Sequence, residues 1–373
     1  MRILFFDSID RDIFGGLENW IGIVASNFVQ RGHDVTVAGR PDSEFLRRIA
    51  TLDDRIHILD VKISGDFNPF TIKTIKDYLQ QNDIEIAFVN FNKDIRLAGL
   101  ASGWHGRTRV IWRVGLDITK DNFVHKQLTP RLIDGVITPS HDLKKQITRF
   151  GYITDEMVTV IHNGTTIKDF PRPNPQAKQA LLDKYNLSPD SLIAVTVGRF
   201  VNHKGHVHLI DAAREIVPKH PDVVFMFLGD GPLEAEHKRR IEQYGLTKHF
   251  VFAGMLDDLD LELGGSDMAI HPSIIEPFSN ALLECMRAGL PIVATRVGGT
   301  AEALTHECEA LLVEPSRPDQ LAAAIMRYLD APDLREKLGN AAQKRWREEF
   351  TIDTMLDKVE RYLAGFLEAE PRK

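Results

Sequence analysis

The stretch SIIEPFSNALLECMRAGLPIVATRVGGTAE, Ser273 to Glu302, reads as loop, helix, turn, strand and loop. Pro277 keeps Glu276 out of helical geometry. Ser279 suits the cap of a helix that begins at Asn280. Gly289 ends that helix, and Pro291 blocks its continuation. Pro291 to Ala294 then reads as a buried strand, with Gly298-Gly299 opening the next loop. The amides of Ser279, Asn280 and Ala281 have no partner inside such a helix, so they form an anion site favoured by the dipole. Glu276 lies just before this site and Glu284 about one turn inside the helix. A phosphate pocket bordered by carboxylates suits a sugar nucleotide, because carboxylates accept hydrogen bonds from hydroxyls. The same residues also fit a simpler pattern. Asn280, Glu284 and Arg287 follow i, i+4, i+7 spacing, the signature of a solvated stripe in which Glu284 pairs with Arg287.

Outward from this stretch, strands and helices alternate. Arg2 to Phe6 reads as a strand, Leu17 to Gln30 as a helix and Asp34 to Ala38 as a second strand, a βαβ unit that implies a parallel sheet. Ile84 to Val89, Arg109 to Trp112, Gly135 to Thr138 and Val158 to Ile161 continue the strands. Thr71 to Gln81, Ile95 to Gly103 and His141 to Phe150 continue the helices. Asp169 to Pro175 is proline-rich and aperiodic, a linker. A second alternation follows, with strands at Leu192 to Val197, Val223 to Leu228, Phe250 to Ala253, Asp267 to His271, Pro291 to Ala294 and Ala310 to Val313. From Pro318 the chain is helical, broken near Ala331-Pro332 and Phe350-Thr351. The expectation is an α/β protein of two doubly wound, Rossmann-like domains facing a central cleft, where open parallel sheets bind ligands. The expected domains are residues 1–170, residues 171–350, and a C-terminal helix over 351–373.

Composition narrows the function. The chain has 373 residues, 43% of them hydrophobic, and a net charge of −7, which argues against a nucleic-acid binder. Cys285 and Cys308 lie in no metal-ligand spacing. The N-terminus reaches Asp7 too soon for a signal peptide, and no apolar run is long enough to cross a bilayer, so a cytoplasmic location is expected.

Further stretches carry chemistry. Gly15-Gly16-Leu17-Glu18 lies between the first strand and helix, where paired glycines let a backbone approach a ligand. It lacks the G-x-G-x-x-G dinucleotide fingerprint and also fits an ordinary loop. Gly198-Arg199 to Lys204-Gly205 follows the first strand of the second domain. There Arg199 and Lys204 would stabilise a departing diphosphate, unless they are solvated loop cations. It is no Walker A loop. Gly229-Asp230-Gly231-Pro232 is turn chemistry, and Asp258-Leu259-Asp260 belongs to an acidic helix start, so no metal site is expected. His105, His125, His141 and His162 are scattered candidates for acid–base work.

Together these stretches resemble the retaining group 1 glycosyltransferases of family 4, which have the GT-B fold. The resemblance spans nearly the whole chain. It rests on E-x7-E at Glu276 and Glu284, on Ala288 to Glu302, on Gly15 to Glu18, on Gly198-Arg199 with Lys204-Gly205, and on Val160 to Gly164. It implies that Glu276 binds donor-sugar hydroxyls and Glu284 the ribose. Arg199 and Lys204 would hold the diphosphate with the amides near Ser279 and Asn280. Gly16 would approach the phosphates, Met255 would lie near the base and Phe278 would shape the sugar end. The C-terminal helix would cross back to the first domain. Catalysis by Glu276, Arg199 and Lys204 would retain configuration without a metal or cofactor.

Two departures stand out. The family's E-G-F-G is here Glu276-Pro277-Phe278-Ser279, and Pro277 has no N–H to offer. The acceptor-side histidine is missing from Trp112 to Asp117, leaving Arg113 and Asp117 as acceptor-side candidates. The expected function is transfer of a hexose-type sugar from a nucleotide-diphosphate sugar to a glycan or glycolipid acceptor in cell-envelope or exopolysaccharide biosynthesis. Basic surface at Lys144-Lys145, Arg149 and Lys238-Arg239-Arg240 offers peripheral contact with the inner face of the membrane. The alternatives are a sugar-nucleotide epimerase or hydrolase, separable by product analysis without acceptor, and a catalytically silent binding protein, which would bind donor without turnover.

Overall fold

The computed structural model describes residues 1–10, 15–103, 107–167 and 174–368. Phe14, His105 and most of the Asp169 to Pro175 linker lie outside the described residues. The chain divides into two compact units, Met1–Ile161 with Leu356–Lys373, and His162–Met355.

The first unit is built on β1 (Arg2–Phe6), β2 (Asp34–Gly39), β3 (His57–Asp60), β4 (Ile86–Val89), β5 (Arg109–Arg113), β6 (Gly135–Thr138) and β7 (Val158–Val160). All pair in parallel, in the order β3-β2-β1-β4-β5-β6-β7. Helices cover both faces, so the inner strands carry continuous buried apolar runs; Ile3, Leu4, Phe5 and Phe6 are fully buried. β3 escaped the sequence reading because it is an edge strand whose residues are mostly exposed and show no apolar run. The helices Glu44–Ala50 and Phe123–Leu132 were likewise not expected; the first is only 7 residues long, and the second carries Pro130 inside it.

The second unit is built on β8 (Leu192–Val197), β9 (Val223–Leu228), β10 (Phe250–Gly254), β11 (Met268–His271), β12 (Ile292–Thr295) and β13 (Ala310–Val313), in the order β10-β9-β8-β11-β12-β13. In each sheet the strand order reverses once, between β1 and β4 and between β8 and β11. Loops diverge there at the carboxyl ends of the strands, which is where such sheets bind ligands.

The division falls at Ile161/His162, not at 170/171, and at Met355/Leu356, not at 350/351. Hydrogen bonding gives the reason. Thr165 donates its N–H to Phe350 and accepts from Ile352, while the Trp346 indole donates to the Thr165 hydroxyl at 2.8 Å. Residues 162–167 are thus laced into the second unit before the proline-rich run begins. Of the helix Ile352–Glu368, the part from Leu356 onward belongs to the first unit. Leu356, Val359 and Leu363 form its buried stripe, and Glu360 takes Arg31 and His33, each at 2.6 Å. Among the described residues no helix is long and apolar enough to cross a membrane.

Candidate functional site

The second unit concentrates charge at its switch point. After β8 the chain alternates outward and inward. Arg199 is exposed, while Phe200 is fully buried against Phe227, Phe252, His206 and His237. That anchor leaves Arg199 projecting from the strand end. A single 3-10 turn, Asn202–Lys204, follows and closes on Gly205 at φ +69°. A β-carbon at Gly205 would stand 2.0 Å from the Pro272 carbonyl oxygen, so only glycine admits the β11 loop so closely. Ile274 N–H donates to the His203 carbonyl at 2.7 Å across the same contact.

This clamp brings Lys204 onto Glu276. Lys204 Nζ lies 2.5 Å from Glu276 Oε2. Ser273 Oγ donates to the same oxygen at 3.3 Å, and His271 Nε2 lies 3.3 Å from both Glu276 Oε2 and Ser273 Oγ. No hydrogen bond reaches Glu276 Oε1 among the described residues. Burial alone would raise the Glu276 carboxyl. The His271 hydrogen bond and the Lys204 charge outweigh it and bring the pKa down to about 2. The carboxylate is therefore ionised at any working pH.

Ser279 caps the helix Asn280–Arg287, its hydroxyl accepting from Leu282 N–H at 3.3 Å. The first amides of the helix remain without intrahelical acceptors. Asn280 Oδ1 is buried and unpaired. Glu284 Oε2 pairs with Arg287 at 2.7 Å, and Arg287 continues to Asp260 at 2.8 Å, so the simpler pairing read from helical spacing is present. Phe278 is buried, stacked on His162 at 4.8 Å and packed against Phe350 at 5.6 Å, so its ring supports the loop from beneath. Asn163 Nδ2 donates to the Phe278 carbonyl at 3.3 Å, and His162 reaches Glu302 at 3.2 Å. Gly299 N–H donates to the Glu276 carbonyl at 3.0 Å. Met255 is 61% exposed beyond β10.

The switch point of the first unit has the opposite chemistry. Asp7, after β1, accepts from Ile9 N–H at 2.8 Å and from Asn90 Nδ2 at 3.2 Å. Asp94 accepts from Ser8, Asn90 and Phe91 N–H groups. Both carboxyls are fully buried. Burial, with Asp94 and Glu18 nearby, pushes Asp7 well up, and burial raises Asp94 to about 6. Glu18 Oε2 accepts from the N-cap Gly15 N–H at 2.7 Å, and its Oε1 is buried and unpaired. Gly16 opens that helix on the surface. Arg113 is buried over the Trp20 ring at 4.7 Å, and burial lowers its pKa to about 10, opposed by Glu18. Asp117 is held elsewhere, by Thr119 and Arg149.

Lys204 and Glu276, 72 residues apart, were both named from sequence, and the fold joins them. Sequence reasoning missed His271, Ser273, Asp7 and Asp94. The available signal for three of these was position alone: His271 is the last residue of β11, Ser273 follows it by two, and Asp7 directly follows β1.

Two family profiles match the chain, "Glycosyltransferase Family 4" over residues 14–168 and "Glycosyl transferases group 1" over residues 177–345. An uncharacterized glycosyltransferase of Methanocaldococcus jannaschii is 30% identical over 223 residues, 59% of this chain and 57% of its own length. A lipopolysaccharide core biosynthesis glycosyltransferase of Rhizobium meliloti is 32% identical over 232 residues, 61% of this chain and 63% of its own. The chain thus spans roughly 60% of each of these relatives. The Anabaena protein HepE, solved in complex with UDP, matches the fold with a TM-score of 0.85 at 20% identity, over 98% of this chain and 100% of its own. The adjoining profiles and the shared fold lead to one conclusion: this chain belongs to the group 1, family 4 glycosyltransferases with the GT-B fold.

Proposed function

We propose that the protein transfers a hexose-type sugar, with retention of configuration, from a nucleotide-diphosphate sugar to a glycan or glycolipid acceptor. The observation that carries this reading is the Lys204–Glu276 pair at the β8/β11 switch point, with an exposed Arg199 and a helix N-terminus on the same edge of the sheet. Glu276 Oε1 accepts from a donor-sugar hydroxyl, and Glu284 from the ribose. Arg199, Lys204 and the amides near Asn280 meet the charge that grows on the leaving diphosphate. The anomeric C–O bond to the diphosphate breaks as the acceptor oxygen bonds to the same carbon from the same face. The acceptor's proton passes to the leaving phosphate oxygen. On this reading the chain's own cations do the work of charge stabilisation, without a metal.

Support for a lipid-carried or envelope acceptor comes from the Rhizobium meliloti relative and from the first unit's own surface. Phe67, Phe70, Phe123 and Val124 are exposed there, at 45 to 79%. They suit an amphiphilic acceptor reached from the cytoplasmic side of a membrane. Arg113 and Asp117 stand as acceptor-side residues.

The test is a thermal-shift panel of UDP, GDP, ADP, CMP and dTDP sugars on wild type and Glu284→Ala. A ligand that binds the folded state raises the midpoint by mass action. A rise with one nucleotide series, weakened in the variant, is expected. UDP-glucose comes first, because HepE has been solved with it. Chelator should leave turnover unchanged.

A further inference from the structure

We propose that His271 and Ser273 are positioning residues for Glu276: with Lys204 they engage one carboxylate oxygen and thereby present the other to a hydroxyl of the donor sugar. This rests on the donor-site reading above and adds residues to it.

The geometry is asymmetric. Three groups converge on Oε2: Lys204 Nζ at 2.5 Å and Ser273 Oγ at 3.3 Å donate to it, and His271 Nε2 lies 3.3 Å away. Oε1 receives none of them. A carboxylate held by one oxygen on three sides has a fixed plane, so the direction in which Oε1 accepts is fixed before any ligand arrives. Such preorganisation is what makes a binding carboxylate selective.

The donors are themselves held. The Thr295 hydroxyl, at the end of β12, donates to the carbonyls of both His271 and Ser273. Gly299 N–H holds the Glu276 carbonyl. His271 is 5% exposed and Ser273 1%, and the side-chain partners of the imidazole are each other's neighbours, Ser273 and Glu276. A histidine retained only for packing would have no reason to meet two polar groups of one loop.

His271, with Lys204, also lowers the Glu276 carboxyl. The groups that face this carboxylate are Lys204 and His203 from the turn after β8 and His271 from the end of β11. Burial and the charges of Lys204 and Arg199 hold His203 below the usual histidine value, Glu276 opposing. With His271 removed, burial of Glu276 is opposed mainly by Lys204, and its carboxyl titrates higher. Donor-sugar binding then weakens on the acid side, a response that mere packing would not produce.

The experiment is calorimetric titration of UDP-glucose against UDP, and of GDP-mannose against GDP, from about pH 8 down to about pH 5. His271→Leu should bind the nucleotide sugar about tenfold more weakly, the size of one charge-assisted hydrogen bond, with unchanged affinity for the free nucleotide. The deficit should grow as pH falls. His271→Gln, which restores an N–H donor, should recover most of it. Equal losses for sugar nucleotide and free nucleotide, or no loss at all, overturn the proposal. Should His271→Leu fail to fold, Ser273→Ala carries the test: a smaller loss confined to the sugar nucleotide supports it, and none overturns it. Failure of the donor reading is seen separately. There, wild type binds neither pair, or Glu276→Ala leaves the difference between sugar nucleotide and nucleotide intact.

Discussion

The two switch points occupy the same place in their sheets and respond oppositely to charge. At β1/β4 two carboxyls are buried, Asp7 with Asp94 and Glu18 nearby, and both are pushed above the usual carboxylate value. At β8/β11 one buried carboxyl faces a lysine and a histidine and gives its proton up. Similar burial therefore goes with opposite pKa shifts, because the cationic neighbours of Glu276 outweigh its burial and Asp7 and Asp94 have none among the described residues. Burial makes an ionised Asp94 costly to the first unit, while the lowered Glu276 carboxyl contributes stability to the second. The stability tied to the Asp94 proton is present below about 4 and lost as pH rises through about 6. The stability from Glu276 is present above about 4.5 and lost as pH falls through about 2. Burial favours the proton at the first site, and the lysine and histidine favour the charge at the second.

The largest break in this contrast is Glu276→Gln. It keeps the shape and removes the charge, and turnover should fall about a thousandfold, measured as kcat/KM at saturating acceptor. An unchanged rate would remove the second switch point from the proposed chemistry. Next is Gly205→Ala. The left-handed φ and the Pro272 carbonyl at 2.0 Å leave no room, so about 3 kcal/mol of stability should go, seen as a lower midpoint in urea. A neutral result would mean that the β8 and β11 loops need no close contact to pair Lys204 with Glu276.

Arg199→Ala separates function from stability at the same edge. Its side chain is exposed, so the thermal midpoint should move little, while kcat should fall about tenfold or more. The smallest effect sharpens the other side. Asp7→Asn removes a buried acid, and Asn90 can turn its unpaired Oδ1 toward the new amide. Near pH 8 the variant should gain about 1 kcal/mol over wild type, the gain shrinking toward pH 5. Thermal unfolding across that range checks it, and a loss at pH 8 would show Asp7 to be needed as a charge.

Much of the fold was legible. Central strands such as Val223–Leu228 are apolar end to end because both faces are covered, and the helix Asn280–Arg287 is bracketed by Ser279 and Gly289. β3 was not legible, since an exposed edge strand has no apolar face to imprint on its residues. The domain boundary was misplaced because prolines mark where the chain cannot be regular, not where contacts stop. Thr165 bonds to Phe350 and Ile352 before the prolines are reached.

The site divides the same way. Glu276, Arg199 and Lys204 stood out in sequence because a charge at a strand end or helix start carries local meaning. That much depends on a few neighbouring residues, and so the chain alone determines it: the alternation of elements, the capped helix, the loops that bear charge. Which charges meet depends on strand order. β8 and β11 are neighbours although some 70 residues separate them, and this adjacency places Lys204, His271 and Ser273 around one oxygen of Glu276. The proton affinity of Glu276, and the opposite behaviour of Asp7 and Asp94, follow from burial and from partners distant in sequence. Only tertiary structure decides these, because desolvation and Coulomb energies are set by distance in space.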